Sequence, residues 1–64
     1  MQTRAIADLA SSGRLRALPA PVREAAAARL RAPEATLTEL AARLDTTKWI
    51  VRQRLRRVVA EAAR

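Results

Sequence analysis

Residues 36–59, TLTELAARLDTTKWIVRQRLRRVV, decide how this chain folds. Thr36 and Glu39 stand three apart in a capping-box pattern, with Thr at the N-cap and Glu at the third helical position, which opens a helix there. Leu37, Leu40, Ala41 and Leu44 then recur at helical spacing and form one apolar stripe. Ala41 is small where the next helix must cross closely. The turn is Asp45 and Thr46, and Thr47 has the side chain of an N-cap for a further helix. That helix runs from Lys48 to about Ala62, with Val51, Leu55, Val58, Val59 and Ala62 on one side, an amphipathic pattern. The connection between the two helices is too short to let them separate.

Working outward from this stretch, the upstream residues read as two more helices. The segment 3–12 is predicted helical, with Ile6 and Leu9 on one side and Gly13 placed as a C-terminal stop. A connector over 13–20 follows, ending at Pro19, Ala20 and Pro21, with Leu15 and Leu18 as anchors into the core. Pro21 fits the first turn of the second helix, where its missing donor costs nothing. In VREAAAARLR, residues 22–31, the residues Val22, Ala25, Ala26, Arg29 and Leu30 share a face at helical spacing. Glu24 is expected in the first turn and Arg29 and Arg31 in the last, matching the helix dipole. Pro33 ends this helix, because the residue before a proline avoids the α region. No strand pattern occurs, and five residues follow Val59, too few for a β-hairpin wing. The expected fold class is all-α: a small helix-turn-helix domain of about four helices, one domain over 1–64 with its helix-turn-helix core at 37–62, and no wing.

Composition narrows the function. A chain of 64 residues is at most one domain with a thin core. It has no Cys and no His, so it lacks a thiolate metal site, the commonest metal ligand and the commonest general base. Six carboxylates and no Tyr leave little for an enzyme, and Asp45 and Glu39 are explained by turn and cap roles. No catalytic residue, metal ligand or cofactor is expected. The net charge of +7 at pH 7 points to a polyanion. Every cation but Lys48 is Arg, which suits bidentate recognition of phosphate and guanine, although a GC-rich coding background gives the same bias. No apolar run approaches a membrane span and no signal peptide is visible, so the expected location is the cytoplasm, on the nucleoid.

The fourth helix carries Lys48, Arg52, Arg54, Arg56 and Arg57, with no acidic residue before Glu61. With its apolar stripe turned inward, Lys48, Trp49, Arg52, Gln53 and Arg56 point outward. The first turns of such a helix reach base edges in the major groove of double-stranded DNA. Gln53 can pair bidentately with adenine, and Arg52 or Arg56 with guanine. Thr47 and the helix N-terminus can hold a phosphate, and Arg54 and Arg57 lie on the flanks, suited to the DNA backbone. Arg14 and Arg16, beside the connector, read as a solvated loop. Trp49 lies almost opposite Val51; there it packs on a thymine methyl or sugar, closes a homodimer, or folds back over the short turn.

LPAPVREAAAARLRAPEATLTELAARL resembles the C-terminal domain of the WhiA family of sporulation and cell-division transcription regulators. That family has a Leu-Pro opening, an Arg-Glu-Ala helix, a Pro-Glu-Ala-Ser/Thr-Leu link and a Glu-Leu helix. Here these are Leu18 and Pro19; Arg23, Glu24 and Ala25; Pro33 to Leu37 in order; and Glu39 and Leu40. Thr47, Lys48, Val51, Arg54, Leu55, Arg56 and Arg57 match its second helix. The resemblance spans residues 18–59 and implies promoter DNA as the ligand. In the family's actinobacterial members it also implies action alongside an iron–sulfur co-regulator and the housekeeping RNA polymerase. Members also carry a large N-terminal domain similar to homing endonucleases, absent from these residues. The family's longer turn, with its double proline, is replaced by Asp45 and Thr46. Where that turn often has a left-handed Gly, Asp45 must serve. Trp49 stands where the family has small or polar residues.

The segment from Ala35 onward is also similar to region 4 of sigma factors, which reads a promoter element, although the link before the Glu-Leu helix matches less well. From a different class, the sequence also fits a protein-interaction module binding RNA polymerase, a sigma factor or a co-regulator through Trp49 and the apolar helix faces.

Overall fold

The structure is a computed structural model and describes residues 2–64. Its helices are α1, Gln2–Ser12; α2, Ala20–Arg31; α3, Leu37–Arg43; and α4, Lys48–Ala62. A 3-10 turn, Arg14–Ala17, lies between α1 and α2, and no strand occurs among the described residues. The fold is all-α, as the periodicity predicts. The core joins all four helices: Ile6 and Leu9 from α1, Val22, Ala25 and Ala26 from α2, Leu40 and Ala41 from α3, and Val51, Leu55 and Val58 from α4. Leu18 is buried among them and Leu15 packs against them, so both anchor the connector. α4 packs on each of the other three helices, and its stripe forms the middle of the core. Ala25, Ala26 and Ala41 are buried on the facing helices, and side chains this small let the helices approach α4 closely.

Each helix ends where local chemistry dictates. Gly13 takes φ 78°, a left-handed value that Gly adopts without strain, and stops α1. Pro19 caps α2 and Pro21 lies in its first turn. Because α2 begins at Ala20, Glu24 falls beyond the first turn and not at the positive end of the helix dipole where the sequence places it. At α3 both capping-box bonds are formed: Glu39 N–H donates to Thr36 Oγ1 at 3.1 Å, and Thr36 N–H donates to Glu39 Oε1 at 2.9 Å.

On the face read for α2, Arg29 keeps its place and Leu30 does not, and Arg14 departs from its reading as a loop residue. Leu30 is 42% exposed rather than part of the buried face of α2. It lies about 90° from the centre of that face, at its edge, and the helix ends one residue later. Arg29 is instead the most buried charged residue, 8% exposed. Its Nη1 donates to the Pro33 carbonyl at 3.2 Å and the Ala35 carbonyl at 2.6 Å, while its Nε is buried without a partner. The guanidinium thus sits at the negative end of α2 and ties down the link to α3. Arg14, finally, is no solvated loop residue. It donates to the Glu61 backbone carbonyl and pairs with the Glu61 carboxylate at 3.7 Å, its side chain reaching the last turn of α4. Arg16 is exposed.

A candidate nucleic-acid interface on the fourth helix

The orientation of α4 is set by the turn before it. Leu44 caps α3, and Asp45 follows with φ 53°, the one non-Gly residue in the left-handed region among those described. Thr46 N–H donates to the Ala41 carbonyl at 3.0 Å and Asp45 N–H to the Ala42 carbonyl at 3.4 Å. This pair of bonds is the Schellman arrangement, with Asp45 in the position usually held by Gly. A short polar side chain tolerates that backbone better than most, as the sequence requires here. Thr47 then returns to extended backbone, and its Oγ1 accepts from Ile50 N–H at 3.3 Å, capping α4. The turn therefore closes the end of α3 and caps the start of α4 with its own groups, which fixes one helix against the other.

The stripe Val51, Leu55 and Val58 is fully buried, and Val59 and Ala62 are half-buried. With about 100° per residue, Trp49 and Gln53 fall on the middle of the opposite face. Arg56 and Arg57 lie on either side of that line, and Lys48 and Arg52 follow one edge. Thr47, Lys48, Trp49, Arg52, Gln53, Arg56 and Arg57 are all exposed, whereas Arg54 is half-buried. The exposure of Arg57 matches that of Arg56, so it belongs to the outward face rather than to a flank. Ile50, which the stripe leaves unassigned, joins this surface at 38% exposure. Its signal in the sequence is its phase, about 100° from Val51.

Charge on this surface is uncompensated. No acidic residue lies between Asp45 and Glu61, and among the described residues none of the five cations of α4 makes an ion pair. Glu61, the only ion-paired acid at this end among the described residues, is engaged by Arg14 and Arg64. Trp49 is 63% exposed and does not fold back over the turn. Lys48 Nζ lies 5.0 Å from its ring centroid, within cation–π range, on one face of the indole. Among the described residues no three His, Cys, Asp or Glu side chains come together to hold a metal ion, and no helix is long and apolar enough to cross a membrane.

Comparison with known proteins bears on this geometry. No curated protein and no solved structure matches the chain. The family model of the WhiA C-terminal HTH domain matches residues 1–62. The match takes in α1, which lies outside the resembling stretch 18–59, and it falls to the first of the two resemblances rather than to sigma factors. The packing agrees, since α1 supplies Ile6 and Leu9 to the same core as the helix pair. An all-helical core, a tight capped turn and a basic outward helix thus coincide with a match over nearly the whole chain: the protein belongs to the WhiA C-terminal helix-turn-helix domain family.

Proposed function

We propose that the chain acts as one sequence-specific double-stranded DNA-binding domain of a transcription regulator, with α4 as its recognition helix in the major groove. The observation that carries this reading is the row of unpaired cations on α4, on a helix whose start is fixed by a closed and capped turn. Lys48, Trp49, Arg52, Gln53 and Arg56 read base edges. Thr47, Arg54 and Arg57 hold phosphates, and the half-burial of Arg54 suits a cation reaching sideways to the backbone. The domain has no catalytic role and works in the cytoplasm, on the nucleoid. RNA polymerase, a sigma factor or a co-regulator joins it at promoters.

Selection from a random duplex library tests the reading. The chain enriches a defined site, and its affinity falls with salt with a slope of about −0.9 per phosphate contact. Arg52→Ala weakens the enriched site by about 1–3 kcal/mol and relaxes base choice. Unchanged specific binding by Arg52→Ala would mean that another face docks. The competing reading is a protein-interaction module, or a homodimer, and it draws on the exposed Trp49, Ile50 and Leu30. Capture of RNA polymerase that survives nuclease and high salt, without any enriched duplex, would favour it.

A further inference from the structure

Trp49 is the largest apolar group the fold leaves outside, and it stands on the centre line of the outward face of α4 with Gln53 one turn further on. A tryptophan so exposed gains by being covered. Lys48 Nζ lies over the ring, most of the residue stays open to solvent, and among the described residues the indole N–H makes no hydrogen bond. We propose that Trp49 makes site choice depend on a thymine, recognised through its C5-methyl group. The inference rests on the reading above, in which α4 enters the major groove.

The chemistry of the groove floor singles out that base. Thymine alone among the four presents an apolar group there, its C5-methyl, and beside it the O4 acceptor. The indole offers an apolar face and a single N–H that only donates. Cytosine presents a donor at N4, which would face that N–H unpaired, and guanine presents acceptors with no apolar neighbour. Gln53, suited to adenine, follows about 6 Å along the helix axis. Against a rise of about 3.4 Å per base pair, the thymine lies within two base pairs of that adenine.

The test uses the full chain, Trp49→Ala and Trp49→Phe. A duplex enriched from a random library by the wild type is remade with each thymine in turn replaced by deoxyuridine, which removes the methyl group and keeps O4 and the pairing. One such replacement should weaken wild-type binding about fourfold, the worth of one buried methyl. Trp49→Phe keeps that dependence, because it keeps the apolar face, and Trp49→Ala loses it. If every position tolerates uracil, or if Trp49→Ala keeps the same dependence, the proposal is wrong although the major-groove reading stands. If no duplex is enriched at all, both fall together.

Discussion

The two joints of this domain connect helices of the same kind by opposite means. Between α2 and α3, residues 32–36 are held from a distance: the guanidinium of Arg29, buried in the preceding helix, donates to the carbonyls of Pro33 and Ala35. Between α3 and α4 no side chain reaches in from another helix, and the Thr47 hydroxyl caps α4 from within the joint. Asp45 takes a left-handed backbone, the bonds from Asp45 and Thr46 close the end of α3, and Thr47 opens α4. The first joint depends on one long side chain paying its desolvation with two carbonyls. The second depends on backbone geometry and can be tight without any core side chain. The difference teaches that the turn between α3 and α4 is set locally, whereas the link from α2 to α3 is held by a buried charge.

Breaking the first joint should have the largest effect. Arg29→Met removes two charge-assisted bonds and should cost about 2–3 kcal/mol of stability in urea unfolding, with Arg29→Lys in between. A loss below that of an ordinary surface substitution would show that Arg29 is merely tolerated in the core. In the second joint, Asp45→Val should cost about 1–2 kcal/mol, since a β-branched residue resists the left-handed region, while Asp45→Gly should be neutral or stabilising. Equal stability of the Val and Gly variants would mean that the backbone there relaxes. The smallest effects fall at the start of α3. Thr36→Ala should cost about 1 kcal/mol through the lost cap. The same box makes stability depend on acid. The Thr36 N–H donated to Glu39, helped by the Thr36 hydroxyl and the Arg43 charge, holds the Glu39 carboxyl below its ordinary value of 4.5. A depressed carboxylate stabilises the fold fully above that ordinary value and loses its contribution as the pH falls through the depressed one. Thermal unfolding between pH 6 and 3 should therefore fall less steeply for Glu39→Gln than for the wild type, and parallel curves would break the link.

Much of the fold was legible because it rests on local rules. The capping box at Thr36 and Glu39, the left-handed Asp45, the Thr47 cap and the stop at Gly13 each involve residues close in sequence, so residue type and spacing suffice. The stripe of α4 was legible for the same reason, and with it the outward placement of Lys48, Trp49, Arg52, Gln53 and Arg56. Periodicity failed at the margins of faces. It put Leu30 inside, left Ile50 unassigned and put Arg57 on a flank, since phase alone does not say how far a neighbouring helix extends. The 3-10 turn and the pairing of Arg14 with Glu61 were hidden too, because those two residues lie 47 positions apart and meet only through packing.

By itself, then, the sequence determined the four helices, their caps, the tight turn and the sign of the charge on α4, all consequences of hydrogen bonding and periodicity within a few residues. The tertiary structure alone decided that an arginine and not Leu30 fills the end of the α2 face, that Arg14 closes the end of α4, and that Trp49 stays uncovered. Burial is a property of what arrives from elsewhere in the chain, and only the packed helices specify which neighbours reach each side chain.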